Sequence, residues 1–275
     1  MRFPLQHASK AEPVTRYLLV ITATVTPMAG ANVLRSDPEV RRNDYLNALR
    51  FWLHQSDARL KHILFIENSG EDLTPFRHLV ETENPLSREV EFISIKPYTI
   101  PDGLHYGWSE LRMLDESLSK SVLAAQSSHM VKVTGRFTFP TISRLLSRMP
   151  KRFDVMVDCR VPTRSYANGK FLWAIIKKPE AYASTQIAIF SLRFYREQIQ
   201  SLYKVIIPGV YPDIMESVIY EKLKLLKGHN GLHLRFPVNC EPSGIGASNG
   251  HNYNSRKKKM TNTLRGLLRP TGIWF

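Results

Sequence analysis

Several features that mark large enzyme classes are missing from this sequence. There are two cysteines, Cys159 and Cys240, too few for a disulfide framework or a thiolate zinc site. Neither G-x-G-x-x-G nor G-x-x-x-x-G-K-[ST] occurs, which disfavours a dinucleotide-dependent dehydrogenase and a P-loop kinase. No G-x-S-x-G elbow is present to support serine-nucleophile hydrolysis. The nine histidines form no metal-ligand cluster; His229 and His233 are four apart, but Gly228 and Gly231 argue against a helix there. The longest early apolar run, Tyr17–Val25, is too short to span a bilayer. Met1–Thr15 lacks the apolar core of a signal peptide. Acid is scarce at one end: from Lys222 to Phe275, ten Lys or Arg stand against Glu241 alone.

What is present suits one large α/β domain with a C-terminal extension, or two small domains. The chain has 275 residues, of which 43% are hydrophobic and 23% charged, a globular composition with enough apolar mass for a sizeable core. The formal charge of +14 favours an anionic partner: nucleic acid, an anionic membrane surface or a phosphate-rich substrate. Much of that excess lies in the tail.

Apolar periodicity alternates along the first 160 residues. Tyr17–Val25 reads as a buried strand stopped by Pro27 and Gly30, with a loop over 28–40. A helix over 41–55 places Tyr45, Leu49 and Trp52/Leu53 on one face. His62–Ile66 is a second strand that ends in the turn Glu67-Asn68-Ser69-Gly70. A helix over 74–82 and a strand over 90–96 follow. After the loop Pro101–Gly107, Ser109 is a candidate N-cap for a helix carrying Leu111, Leu114, Leu118 and Val122. Met130–Thr134 and Asp154–Asp158 are strands separated by a short helix over 140–148. This order predicts a mainly parallel sheet covered on both faces, with the strand C-termini on one ligand-binding edge. Beyond residue 160 the pattern changes to a loop over 161–172, helices over 185–203 and Met215–Leu226, an irregular stretch over 237–255, and a basic segment over 256–275.

The chemistry-bearing residues cluster at the expected strand ends. Lys132 and Arg136 flank Gly135, and a cationic clamp for a diphosphate would need a forked donor, a point charge and close backbone approach; a solvated strand edge is the alternative. Asp158 and Arg160, two apart on a strand, share a face. Asp158 could act as a general base on an acceptor hydroxyl, or the two could form an ion pair closing the strand. Tyr106-Gly107-Trp108-Ser109-Glu110 enters a helix whose amides could face a phosphate or sugar hydroxyl, with Glu110 alternatively an ordinary first-turn acid. Glu67 and Asn68 sit on the ligand edge. Glu216 is the second candidate base, and Glu221 reads as a solvated helix residue. Arg256, Lys257, Lys258 and Lys259, followed by Leu264, Leu267, Leu268 and Trp274, form a basic tail with apolar anchors that suits an anionic bilayer or a flexible tail.

Taken together, Tyr17–Val25, Arg41-Arg42-Asn43-Asp44-Tyr45, Phe65–Gly70, Tyr106–Leu114, Lys132-Val-Thr-Gly-Arg136, Pro212–Glu216 with Tyr220-Glu221, and Ser243–Ser248 resemble bacterial glycosyltransferases of surface-polysaccharide (lipopolysaccharide or capsule) assembly. The resemblance spans most of residues 17–255. It implies a GT-A-like α/β fold with a mainly parallel central sheet flanked by helices and a mostly helical or irregular C-terminal part. Residues 16–160 would bind the nucleotide sugar, 161–255 would form the acceptor side of the same domain, and 256–275 would be a membrane-associating tail. It further implies a nucleotide-sugar donor, a lipid-linked or growing glycan acceptor, and work at the cytoplasmic face of the inner membrane. Thr22, Glu67 and Asn68 would lie near the nucleotide, and Gly107, Glu110, Lys132 and Arg136, with Arg160, on the donor side. One departure from the GT-A pattern stands out: there is no Asp-x-Asp. No metal site follows from the residues, no cofactor is implied firmly, and a divalent metal stays open. A nucleic-acid-binding or processing protein is the alternative that the +14 charge allows.

Overall fold

The computed structural model describes residues 15–28, 33–160, 181–247 and 250–268. A seven-stranded sheet organises them: β1 (Tyr17–Ala23), β2 (His62–Glu67), β3 (Glu89–Ser94), β4 (His129–Thr134), β5 (Val155–Arg160), β6 (Tyr182–Ser191) and β7 (Leu232–His233), in spatial order β3-β2-β1-β4-β6-β5-β7. β1 pairs in parallel with β2 and β4, and β2 with β3; β6 runs antiparallel to β4 and β5. The helices are α1 (Pro38–His54), α2 (Thr74–Thr82), α3 (Gly107–Lys120), α4 (Val122–Gln126), α5 (Ile142–Ser147), α6 (Met215–Leu225) and α7 (Arg256–Leu268). The mainly parallel sheet flanked by helices matches the expectation. The expected loop at 161–172 and the tail end carrying Arg269 and Trp274 lie outside the described residues.

All seven residues of β1 are buried, as a central strand covered on both faces requires. Its side chains alternate between two cores. Leu19 and Ile21 join Tyr45, Leu49, Trp52 and Leu53 of α1 on one face, while Leu18 and Val20 join Leu111, Leu114 and Leu118 of α3 and Val218 and Ile219 of α6 on the other. Each fully buried aliphatic side chain contributes roughly 1.5–3 kcal/mol, so the period-two alternation fixes the register. α1 starts where Asp37 accepts from the amides of Glu39 and Val40, with Pro38 in the first turn. α3 begins at Gly107, earlier than the Ser109 cap predicts, and the Gly107 amide donates to His105 Nδ1 at 3.2 Å.

Two expectations fail: Val122, expected on the apolar face of α3, opens α4 and is 63% exposed, and one element changes type. The predicted helix over 185–203 is, over Tyr182–Ser191, the strand β6, inserted between β4 and β5; a short helical turn, Leu192–Phe194, and a π-helical turn, Tyr195–Ile199, follow it. The apolar run Ile187-Ala188-Ile189-Phe190 suits a buried helix or a buried strand by pattern alone. The two open edges of β4 and β5 decide it, since both need hydrogen-bond partners.

The chain lays down β1, β2 and β3 outward in one direction, then returns to place β4 on the other side of β1. The crossovers therefore diverge between β1 and β4. At such a switch point the loops leaving the strand C-termini part and leave a crevice. Gly135, just past β4, crosses the end of β1 closely: its amide donates to Thr22 O at 2.9 Å, and a Cβ there would lie 2.5 Å from that oxygen. The glycine serves this strand-to-strand approach.

Candidate active site

A cleft of about 370 Å³ opens at the switch point, within the range of small-molecule sites. The strand ends supply Thr22, Thr24, Asn68, Thr134 and Arg136; Arg41 and Tyr45 reach it from α1, Glu110 from α3 and Glu216 from α6; Tyr182, Thr185 and Gln186 of β6 and Tyr253 close the far side. Thus Thr22, Asn68, Glu110, Arg136 and Glu216 converge as lining residues, while Glu67, Gly107, Lys132, Asp158 and Arg160 lie outside the lining.

Glu67 is wholly buried behind the loops. Its carboxylate accepts from the amides of Val25 at 3.2 Å, Ser69 at 2.9 Å and Glu71 at 3.0 Å. It shapes the two loops that leave β1 and β2 and so positions Asn68, whose Oδ1 accepts from Thr24 Oγ1 at 2.6 Å. Gly107 lets α3 meet the start of α6, where a Cβ would approach Met215 Cβ to 2.8 Å.

Lys132 does not reach the cleft as a phosphate ligand. It is 2% exposed, its ammonium lies 2.6 Å from Glu110 Oε1, and it donates to Thr185 O at 2.7 Å. A buried ammonium needs such a partner, because desolvation outweighs anything an isolated charge gains. Thr22 Oγ1 donates to the same Glu110 oxygen at 2.8 Å, and Thr185 Oγ1 donates to Glu216 Oε1 at 3.2 Å. Lys132 therefore holds the floor of the cleft and orients the carboxylate on α3.

Asp158 is likewise displaced from its expected role. It is 0% exposed, it accepts from Arg160 Nε at 2.6 Å, and the Phe236 amide donates to its other oxygen at 3.4 Å. Arg160 also pairs with Glu241 at 2.8 Å, and Arg265 of α7 pairs with Glu241 at 3.1 Å. Burial alone would lower the Arg160 pKa, but the Asp158 and Glu241 carboxylates outweigh it and raise it. The ion-pair alternative is what the chain builds here: Asp158 and Arg160 form a buried clasp that joins β5, the 236–241 segment and α7.

The cations that face the cleft are Arg41 and Arg136. Arg41 is 4% exposed and donates to the carbonyls of Thr24, Val25 and Arg35 and to the Tyr45 hydroxyl. Arg136 donates to Ile245 O at 3.2 Å, and its guanidinium stands 5.2 Å from the Phe137 ring centroid. Among the described residues neither has a carboxylate within ion-pair distance. Burial pushes the Arg41 pKa down, and Arg136 pushes it further in the same direction. Two guanidinium groups near each other, without a carboxylate partner among the described residues, make this cleft wall electropositive. Arg41 is a cleft-lining cation that the sequence reading did not place at the site. Its signal was present, for Arg41 falls on the same helical stripe as Tyr45 and Leu49.

A divalent metal bound together with a diphosphate needs one or two carboxylates, and Glu110 and Glu216 are the carboxylates that line the cleft. Among the described residues no three His, Cys, Asp or Glu side chains converge. Of the two carboxylates lining the cleft, Glu110 is engaged by Lys132 and Thr22.

The tail cations divide. Arg256, Lys257 and Lys259 are exposed along α7, but Lys258 turns inward, 5.3 Å from the Tyr253 ring centroid. Burial lowers its pKa to about 8, with Arg265 adding repulsion. Glu221 lies away from the cleft, accepting from the Tyr211 hydroxyl at 3.3 Å and pairing with Lys224. No helix among the described residues is long and apolar enough to cross a membrane.

No protein-family model matches the chain, and no curated protein matches it in sequence. Solved structures do resemble it. A mannosyltransferase of Pyrobaculum calidifontis, in complex with GDP-Man and Mn2+, is 11% identical with a TM-score of 0.49, over 95% of this chain and 66% of that one. The mannosyltransferase Ktr4p of S. cerevisiae is 12% identical with a TM-score of 0.38, over 70% of this chain and 60% of that one. The 4-diphosphocytidyl-2C-methyl-D-erythritol synthase of Anaerococcus prevotii is 8% identical with a TM-score of 0.40, over 90% and 95%. The chain thus spans less than two thirds of the length of the two mannosyltransferases, and at these values the likenesses assign it no activity.

Proposed function

We propose that the chain is a nucleotide-sugar-dependent glycosyltransferase of bacterial surface-polysaccharide assembly, acting on a lipid-linked or growing glycan at the cytoplasmic face of the membrane. The observation that carries this reading is the pair Arg41 and Arg136, two guanidinium groups without carboxylate partners among the described residues, at the switch point of the sheet. They suit a donor diphosphate, with the nucleoside end toward Thr24 and Asn68 and the sugar toward Glu110 and Glu216. The acceptor class and the membrane setting rest on the sequence resemblance and on the basic tail at Arg256, Lys257 and Lys259.

In this reading the acceptor hydroxyl oxygen attacks the anomeric carbon and forms the new glycosidic bond. The bond from that carbon to the diphosphate oxygen breaks, and its electron pair leaves with the nucleoside diphosphate. Arg41 and Arg136 stabilise the charge that gathers there, which is worth most in a pocket prepared in advance. Glu216, held by the Thr185 hydroxyl, accepts the hydroxyl proton. Lys132 keeps Glu110 oriented toward the sugar. The nucleic-acid alternative draws less support, because four cations of the α/β body are neutralised by carboxylates: Arg35 by Asp44, Arg50 by Glu83, Arg59 by Asp57 and Lys61 by Glu89.

The test is product analysis with the full chain, a panel of nucleotide sugars and lipid-linked glycan acceptors. Release of nucleoside diphosphate that depends on the acceptor supports the reading. Release of pyrophosphate from nucleoside triphosphate and sugar phosphate would instead identify a nucleotidyltransferase and overturn it.

A further inference from the structure

The segment Lys204–Tyr211 presents an apolar surface to solvent. Lys204 is the only charged residue between Gln198 and Pro212. The Val210 amide donates to Ile207 O at 3.1 Å, and Gly209, after Pro208, has φ +69°. That is a type II turn, with proline and glycine where the turn favours each, and it makes the tip stiff. Val205, Ile207 and Val210 are 67%, 58% and 53% exposed, whereas Ile206 is buried. The alternation anchors one side chain and turns the others outward. A Cβ on Gly209 would meet nothing within 4 Å, so the tip is convex.

The base of this wedge is fixed to the fold. The 3-10 turn Leu202–Val205 packs on α3 and α6. A Cβ at Gly103 would lie 3.0 Å from Pro208 Cβ, so the wedge abuts the loop that carries Tyr106 to the cleft rim.

Three aliphatic side chains held in water each forgo part of the roughly 1.5–3 kcal/mol that burial supplies. A convex tip offers no groove to a peptide helix or strand. It suits a fluid apolar phase, and Lys204, the one charge between Gln198 and Pro212, suits an anionic one. Lys204 is exposed beside the wedge, and Lys224 in the last turn of α6 is neutralised by Glu221, which accepts from the Tyr211 hydroxyl. α7 repeats this chemistry: Met260, Leu264 and Leu267, at i, i+4 and i+7, are all exposed beside Arg256, Lys257 and Lys259.

We propose that the Ile207-Pro208-Gly209-Val210 turn inserts into the headgroup–acyl boundary of an anionic bilayer, with Lys204 against the lipid phosphates, and sets the cleft mouth at the membrane surface. This contact does not depend on sugar transfer and is measured without donor or acceptor.

The experiment uses the full chain with vesicles of phosphatidylcholine, with and without phosphatidylglycerol. Sedimentation with the anionic vesicles is expected, and Ile207→Asp/Val210→Asp lowers that partition about tenfold or more with an unchanged melting temperature. An environment-sensitive dye on Ile207→Cys shifts to the blue when anionic vesicles are added. Cys159 and Cys240 label poorly, since burial raises both thiol pKa values to about 12. Partition that is equal in the Asp variant, or a dye spectrum that does not move while the chain sediments, overturns the proposal. So does a chain that ignores vesicles but loses a dimer in the Asp variant, which would mark the wedge as a self-association surface.

Discussion

Lys132 Nζ lies 2.6 Å from Glu110 Oε1, and this single contact ties the central strand β4 to the first turn of α3 beneath the cleft. With its partner removed, Glu110 would keep a largely buried charge. Lys132→Met should therefore cost about 3 kcal/mol in urea unfolding, and Lys132→Met/Glu110→Gln should recover much of that loss. A purely additive double variant would show that the pair is not coupled.

Asp158 and Glu216 should separate cleanly. Asp158→Asn strips the buried Arg160 of a partner and should lower stability by about 3 kcal/mol, while turnover per folded molecule stays near wild type. Glu216→Gln should do the reverse, with turnover lost while stability and nucleoside diphosphate binding are kept. Normal turnover in Glu216→Gln would remove it as the base.

Gly135 is a third point of attack. Its φ is not in the left-handed region, so the cost of Gly135→Ala is contact alone. The new Cβ would lie 2.5 Å from Thr22 O and 2.8 Å from Ile21 Cγ2, and β1 or the β4 exit must move. A loss of about 1–3 kcal/mol is expected, with weaker diphosphate binding because Thr22 and Arg136 shift together. Thermal melts and ligand titration of the same sample check both.

Much of this fold was legible before any coordinates. β1 to β4 are apolar runs bounded by turn residues, and the helices between them carry a clear stripe, so the sheet and its ligand edge follow from pattern and crossover handedness. β6 was not legible, because Ile187–Phe190 suits helix and strand alike and only the open edges of β4 and β5 decide. The site was half legible. Arg136 and Glu216 reach the cleft as expected, but a strand cation such as Lys132 reads the same whether it faces a ligand or an acid from a distant helix. Arg41 was hidden for the converse reason: a basic residue in a helix's first turns looks like surface until its place on the Tyr45–Leu49 stripe is weighed.

Lys258 gives a pH signature. Its pKa is lowered to about 8 from 10.5, so between those values the unfolded chain binds more protons than the folded one. Stability must then rise with pH across that window, as the penalty for a half-buried ammonium beside Arg265 is relieved. Lys258→Met should remove this rise. The difference in melting temperature between wild type and variant, followed from neutral pH to above pH 10, isolates it from other groups, and a constant difference would contradict the assignment.

The most direct measurement is calorimetric titration of the full chain with nucleoside diphosphates in EDTA, repeated with Arg136→Ala. Arg136 contributes one hydrogen bond to the fold, so the variant should stay folded. If Arg41 and Arg136 hold the diphosphate, wild type binds and the variant loses about 10- to 100-fold, the range for charge-assisted hydrogen bonds. No binding by wild type, or equal binding by both, would contradict it.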